Sequence, residues 1–590
     1  MQTWGTDAAR GERRLSARRG IAVPSLPSES PYNPRTMTAA PFYITTPIYY
    51  VNDRPHIGHC YTTIVADAIA RFERMAGRDV FFLTGTDEHG QKVEKSAQAR
   101  GITAKQLADE NAEHFKAALR YVGSSNDDFI RTTEPRHEKQ VQEVLSRLIK
   151  TGDVYLGQFE GWYDEGQEEY VTENQAREKQ YKAFNGQPLV RAKEENYYFR
   201  LSKYQGWLKE LIEKTEFVRP EARRNEVLGR INAPEGLQDV PVSRTNFTWG
   251  IPVPVPAAAN GAKHITYVWI DALLNYASAV GAIDPAMLPA EQRERGKYWP
   301  AQVHLIGKEI LWFHAVIWPA MLKALGLGLP GCVYAHSFWI RDGKKMSKTL
   351  GNFIDLPTIE AYVGAFGRDA WRWFMLTQGP LGATDADFSH AKFVEVYNAD
   401  LANGIGNAAS RVANMIEKYC EGKCPAAPAD TRPVAASPTA KVELPIADWS
   451  AEVSAAVEKS TARCGSLEPG EMLRAALHLS NQVDRYVNAT EPFKLAKDPV
   501  RMGDVNAVLY QSAEALRIAA VLLSPALPEK MADLLRRFGQ EAPDASGRFS
   551  RPLAELCRWG GLKPGTPIVK GDALFPRWDP KLPPPSASGA

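Results

Sequence analysis

The feature that most limits what this chain can fold into is its first apolar run and what comes directly after it. Residues 41–51 read PFYITTPIYYV, β-branched and aromatic with little polar alternation, the pattern of a strand buried on both faces. Asn52, Asp53 and Pro55 break it. From about His56 the apolar residues Ile64, Val65, Ala68, Ile69, Phe72 and Met75 recur at helical spacing, and Gly77 stops them. DVFFLTG (79–85) is a second strand. Strand, helix and strand in that order form a crossover unit, which predicts a parallel sheet with right-handed connections.

The chain is 590 residues long, enough for several domains, and its character changes along it. Residues 1–36, rich in Arg, Ser and Pro, lack apolar periodicity and predict a disordered extension. They read either as an organellar transit leader or as a stretch upstream of a start at Met37, and the second is favoured because Met37 lies just before the first strand. Residues 37–150 hold the first half of the α/β unit. Residues 151–240 turn aromatic and charged (GWYDEGQEEYVTE, ENYYFRLSKY) and predict an inserted domain. The α/β pattern resumes over 241–356, where HITYVWIDALLNY (264–276) reads as a strand running into a helix and AQVHLIG (301–307) as another strand. Residues 357–570 are almost wholly helical, with the Pro/Ala-rich 424–440 as a loop, and 571–590 form a tail.

Lys plus Arg total 71 against 69 for Asp plus Glu, so a nucleic-acid partner has to be argued from local motifs, not from net charge. No run approaches the roughly 18–20 apolar residues of a membrane span. The 6 cysteines (Cys60, Cys332, Cys420, Cys424, Cys464 and Cys557) form no C-x-x-C pair. That sparse usage predicts a reducing compartment, no disulfide framework and no metal site.

Two short strings carry chemistry. His56-Ile57-Gly58-His59 stands where the first strand gives way to helix. Its histidines share one helix face, and a helix start offers unpaired N–H groups and partial positive charge, an anion site suited to a triphosphate. Gly58 has no side chain, so a purine can lie flat against the backbone. Gly343-Lys344-Lys345-Met346-Ser347-Lys348-Thr349, followed by Gly351-Asn352, predicts a mobile basic loop. Its lysines reach β- and γ-phosphates and neutralise charge that shifts during transfer. Taken singly, each string also fits a bland reading: two unrelated histidines, or a solvated turn. Together, after the first and last strands of one α/β unit, they resemble the HIGH and KMSKS signatures of class I aminoacyl-tRNA synthetases. Thr349 holds the fifth KMSKS position and keeps the hydroxyl.

A third group points to the amino acid. Gly85-Thr86-Asp87-Glu88-His89-Gly90 follows the second strand, at the end where open α/β sheets bind ligands, and a carboxylate there can pair with a substrate ammonium. Trp269, Ala272 and Tyr276, with Trp312-Phe313-His314 after Gly307-Lys308-Glu309, put aromatics around a small residue, a slot suited to a thioether. Core packing accounts for any one of them alone. Over residues 41–575 these strings resemble the methionyl-tRNA synthetase family. The resemblance implies an α/β, Rossmann-like parallel-sheet catalytic domain with an inserted connective domain, followed by an all-α anticodon-binding domain. It implies that Ile48, Tyr50, Trp269, Ala272, Tyr276, Phe313 and His314 line a methionine pocket and that Asp87 holds the α-ammonium. His56, Gly58, His59, Gly307 and Glu309 would contact ATP, which comes with Mg²⁺, and Lys345 and Lys348 would close over it. Leu273 replaces the family's usual Pro, which puts that position's contribution in question.

On a helix expected over about 392–419, Asn403, Asn407, Arg411 and Asn414 fall on one stripe at about 100° per residue, opposite an apolar one. Periodicity alone makes this a solvated face. The resemblance instead implies that Asn407 and Arg411 read the anticodon of tRNA(Met) and that Phe493, where the family often has Trp, stacks on a base. The Cys-x-x-C knuckles that hold zinc in many members are missing: residues 163–167 read YDEGQ. No structural zinc is expected, and Trp162, Tyr163, Tyr170, Tyr197, Tyr198 and Phe199 have to hold the insert by packing. A C-terminal oligonucleotide-binding extension is not seen, which implies a monomer, and the expected location is cytoplasmic. Three rivals differ in what they need. A leucyl or cysteinyl synthetase needs an editing domain or zinc ligands, a small-molecule adenylyltransferase has no use for the helical half, and a silent RNA-binding relative has no use for intact His56, His59, Lys345 and Lys348.

Overall fold

The protein is described here by a computed structural model that covers residues 40–52, 54–164, 169–171, 173–183, 186–257, 261, 263–346 and 351–586. The extension 1–36 lies outside these residues, as do Lys348 and the rest of 347–350. The opening crossover forms as the pattern predicts: β1 (Phe42–Tyr50), helix α1 (Ile57–Met75) and β2 (Val80–Asp87). The two strands run parallel, Phe42 opposite Val80 and Tyr50 opposite Asp87. Helices α2 (Gln91–Ala99) and α3 (Ala104–Tyr121) lead to β3 (Asp128–Arg131), and α4 (Pro135–Thr151) leads out of the first half.

The intervening segment builds β4 (Val154–Asp164), β5 (Glu169–Val171), β6 (Val190–Phe199), β7 (Val218–Arg219) and β8 (Val240–Pro241). Four of these make an antiparallel sheet in the order β5-β4-β6-β8, whereas β7 leaves it. After the short pair β9 (Ser243–Arg244) and β10 (Ile265–Thr266) come β11 (Val303–Gly307) and β12 (Cys332–His336). The main sheet has the order β3-β2-β1-β11-β12-β7, parallel throughout. A third sheet combines β13 (Trp339–Arg341), β14 (Lys344–Lys345) and β15 (Ala386–Phe388). In the insert, Tyr163, Tyr198 and Phe199 are buried, and Trp162 packs on Tyr181 at 4.9 Å between ring centroids. The Tyr170 side chain lies outside the described set.

Two local expectations fail. The strand read into 264–276 is only Ile265–Thr266, paired antiparallel with β9 and outside the parallel sheet. The apolar run belongs instead to helix Val268–Ser278, buried on nearly every side, so its apolarity mimics a buried strand. The helix expected over 392–419 is interrupted. A helix His390–Val396 passes into a π-helical stretch Tyr397–Gly406, Gly404 leaves helical geometry (φ −84°, ψ −112°), and an α-helix resumes over Asn407–Tyr419. A π turn shifts the rotation of everything beyond it, so Asn403 and Arg411 do not lie on one 100° progression.

Helix α1 is buried from Cys60 to Met75. At its middle, Asp67 accepts from Arg71 Nε and Arg372 Nη2, both at 2.7 Å, and from Ser125 N and Oγ at 2.6 Å. Arg372, on helix Arg368–Gln378, also donates to the carbonyls of Val122, Pro525 and Ala526. One buried carboxylate thus ties the parallel-sheet half to the helical half. Burial opposes its ionisation, but Arg71 and Arg372 overrule that and hold the carboxyl well below the usual range. Its stabilisation is therefore full above about pH 4 and lost only in strong acid. The chain's end packs too: Phe575 is buried, Trp578 lies 4.2 Å from the Phe366 ring, and Asn398 bonds the Trp578 backbone in both directions. Among the described residues no helix is long and apolar enough to cross a membrane. Asp67→Asn should lower the unfolding free energy by about 3–5 kcal/mol, because two buried guanidinium groups then face an amide. A urea midpoint that does not move would refute this account of the junction.

Candidate active site

A cleft of about 320 Å³ opens where the carboxyl ends of β1, β2, β11 and β12 meet the start of α1 and one side of helix Val268–Ser278. It sits where the sheet order reverses, between β1 and β11, the place where open parallel sheets leave a crevice.

His56 caps α1 and is extended (φ −145°), so its ring folds back over the first turn. Its Nδ1 accepts from Gly58 N–H at 3.1 Å, and His59 Nδ1 accepts from His56 N–H at 3.2 Å. The Ile57 N–H donates to the Ile354 carbonyl at 3.0 Å. The helix start therefore does not offer bare N–H groups, as the sequence led us to expect. The histidines and the Ile354 carbonyl engage them, and because Nδ1 accepts in both rings, a neutral imidazole at either position carries its proton on Nε2. The rings lie 3.8 Å apart. Burial and then His56 push His59 well below the usual histidine pKa, so that ring is neutral. A Cβ at Gly58 would come within 3.0 Å of His56 Cε1, and one at Gly307 within 2.3 Å of Glu309 Oε2. Both glycines let a neighbouring side chain fold flat against the backbone. Glu309 lines the cleft; dense protein around it raises its carboxyl, and Lys308 and Lys345 draw it back down. Lys345 sits on the β13–β14 hairpin opposite Ile340, and Lys348 lies outside the described residues.

The other half of the cleft is aromatic. Trp269, Ala272, Leu273 and Tyr276 line it from one face of helix Val268–Ser278, at i, i+3, i+4 and i+7. Leu273 is part of that wall. Ile48 and Tyr50 enter from β1 and Asp87 from the end of β2. His314 closes the end: its Nδ1–H donates to the Ile310 carbonyl at 2.9 Å, so its Nε2 accepts from Tyr276 Oη at 2.8 Å. Burial pushes this imidazole down to about 4, and it is neutral. Phe313 does not line the cleft. It stacks behind Trp269, with ring centroids 3.9 Å apart and planes 12° from parallel.

The chain matches the family model described as "tRNA synthetases class I (M)" over residues 42–182 and 178–413. It is 41% identical over 549 residues to a methionine–tRNA ligase of Rhizobium meliloti, covering 91% of this chain and 98% of the relative. With the methionine–tRNA ligase of Halalkalibacterium halodurans it shares 40% over 551 residues, 91% of this chain and 78% of that one. Mycobacterium tuberculosis methionyl-tRNA synthetase, solved in complex with methionyl-adenylate, superposes with a TM-score of 0.79 at 35% identity, covering 91% of this chain and all of the other. The chain belongs to the class I methionyl-tRNA synthetases. Its activity is that of a methionine–tRNA ligase.

Several cleft residues of this synthetase escaped the sequence reading: Tyr61, Thr62, Lys92, His336, Phe338 and Trp339. His336 had a usable signal. It ends β12 directly opposite Gly307 at the end of β11, so strand-end position alone nominated it. Burial holds it at about 4; its Nδ1–H donates to the Ser337 carbonyl and its Nε2 accepts from Thr62 Oγ1 at 2.7 Å.

The helical-half candidates do not line this cleft. Asn407 and Arg411 are half-buried rather than turned outward: both bond Asp484, and Arg411 also bonds Asn488 at 2.8 Å. Both partners sit on helix Pro469–Thr490, whose packing consumes part of that polar stripe. Phe493 follows Glu491, which is left-handed at φ +48°, and stands 42% exposed. Among the described residues no group of three or more His, Cys, Asp or Glu is arranged to hold a metal. In ¹⁵N NMR between pH 6 and 8, His59 should appear as the neutral Nε2–H tautomer and His314 and His336 as neutral Nδ1–H rings. A protonated imidazole at any of the three would contradict the bonding described.

Proposed function

We propose that the cleft holds methionine and ATP side by side and joins them, and that the helical half binds tRNA(Met). The methionine carboxylate attacks the α-phosphorus of ATP, pyrophosphate leaves, and methionyl adenylate remains. The terminal ribose hydroxyl of the tRNA then attacks the acyl carbon and AMP leaves. The substrate supplies its own nucleophile, so the protein's part is to align the reactants and stabilise the charge that builds on the phosphates. Asp87 takes the α-ammonium. Ile48, Tyr50, Trp269, Ala272, Tyr276 and His314 form the side-chain slot, with Phe313 stiffening Trp269 from behind. His56 and His59 donate from Nε2 to the triphosphate, Gly58, Gly307 and Glu309 flank the nucleoside, and Lys345 and Lys348 close over the pyrophosphate. Mg²⁺ enters with ATP as part of the substrate, held chiefly by phosphate and water oxygens, as small hard cations are.

The observation that carries this reading is convergence. An imidazole pair, a carboxylate and an aromatic slot, drawn from elements scattered along the sequence, line a single cleft, and Lys345 is near enough for its charge to act on Glu309. A neutral slot suits an uncharged thioether, with sulfur–aromatic contacts of about 0.3–1.5 kcal/mol each. One methylene is worth about 1–3 kcal/mol, so homocysteine is an expected weak competitor. A monomeric state belongs to the same proposal. Residues 37–150 and 241–356 as catalytic halves around an insert, with 357–570 as the tRNA-reading domain, belong to the same proposal, as does a cytoplasmic location.

ATP–pyrophosphate exchange tested with each of the twenty amino acids should be stimulated by methionine. Stimulation by leucine alone would overturn the reading, and no exchange at all would favour a silent RNA-binding protein. Phe493→Ala should leave exchange intact while lowering kcat/KM for tRNA charging about 5- to 150-fold, the loss of one base stack of about 1–3 kcal/mol. Equal charging by the variant would remove Phe493 from the anticodon site.

A further inference from the structure

This inference rests on the cleft being a methionine site and asks what sets its dimensions. Two residues beyond Asp87, His89 is buried and does not line the cleft. Its Nδ1 lies 2.6 Å from Asp271 Oδ2. The other carboxylate oxygen, Oδ1, lies 2.6 Å from His137 Nε2 on α4, and His137 Nδ1 lies 2.7 Å from Ser278 Oγ. Asp271 is buried and sits between Trp269 and Ala272, off the stripe that lines the cleft. Burial pushes its carboxyl up, but the two imidazoles prevail and bring it below the ordinary range, so it stays ionised at neutral pH.

The turn that carries Asp87 is therefore fastened on both sides. Glu88 is gripped by Arg131 of β3 at 2.6 and 2.9 Å and by Thr133 Oγ1 at 2.6 Å, and its carbonyl accepts from Trp249 Nε1 at 2.6 Å. His89 fastens the same turn to the helix that bears the slot, and His137 with Ser278 fixes that helix toward its far end. Simple adhesion of helix to strand needs only apolar packing, since burying a carboxylate between imidazoles carries a desolvation penalty. What the polar junction adds is a defined separation, set by short directional bonds, between two surfaces that grip opposite ends of one small molecule.

We propose that Asp271 is a positioning residue for amino-acid selection. Held by His89 and His137, it fixes the distance from the Asp87 carboxylate to the Trp269–Ala272–Tyr276 slot, and with it the side-chain length the enzyme accepts. It touches no reacting atom.

The test uses the full chain and ATP–pyrophosphate exchange with methionine and with ethionine, its homologue one methylene longer. Asp271→Asn keeps the shape but puts an amide N–H₂ where one imidazole needs an acceptor. It should raise KM for methionine about tenfold, the order expected for a sub-ångström misplacement. KM for ATP and kcat should stay within about threefold, and the methionine-over-ethionine ratio of kcat/KM should fall by about fivefold or more. His137→Gln, which releases one oxygen only, should move the same quantities less, and carries the test if Asp271→Asn does not accumulate. Unchanged KM and discrimination in a folded variant would overturn the proposal. So would a parallel loss of kcat and both KM values that tracks the folded fraction, the mark of a purely structural residue. Wild-type protein without methionine-dependent exchange would instead sink the reading of the cleft itself.

Discussion

Helix α1 is the part on which the rest depends, because a single buried carboxylate in its middle settles where both halves of the molecule sit. Asp67 binds two guanidinium groups and a loop backbone, and one of those guanidinium groups also ties down the turn at Pro525 and Ala526. The first turn of the same helix carries His56, Gly58 and His59 into the cleft. Since α1 is buried from Cys60 onward, it cannot shift without disturbing the sheet below it and the helices above it. The imidazole pair is thus placed by contacts well away from it.

Burial decides the chemistry that the cleft offers. His59, His314 and His336 are all held neutral by desolvation, and in each a backbone group chooses the tautomer. The imidazole end of the cleft consequently presents Nε2–H groups, while the aromatic end is closed by a Tyr276–His314 pair with no net charge. Charged side chains reach the cleft at Asp87, Lys92 and Glu309, with Lys345 of the basic hairpin beside them. That division of a donor-lined end from a neutral end matches a substrate pair of which one member is highly anionic and the other ends in a thioether.

Much of this was legible residue by residue. The succession of strand, helix and strand from 41 to 87 predicted β1, α1 and β2, and the imidazole string lines the cleft, with Lys345 of the basic string close enough to act on Glu309, because strand ends and helix starts are where a parallel sheet exposes groups. Trp269, Ala272 and Tyr276, grouped in the sequence as aromatics around a small residue, line the cleft together because they share one helix face. What was missed was non-local. Phe313 packs behind Trp269 instead of lining the cleft, His336 joins the cleft only because β12 lies next to β11, and Arg411 is engaged by Asp484 because another helix comes alongside.

The sequence by itself determined the elements, their order, and which residue types stood at the strand ends and the helix start, because those follow from period, punctuation and short-range sterics. Only the tertiary structure decided that the apolar run near 270 is helix with almost no strand, that π turns break the helix at 397–406, and that a carboxylate at 271 reaches two histidines from distant segments. Each of these outcomes depends on neighbours brought together by folding, and a linear pattern carries no record of which buried groups will meet.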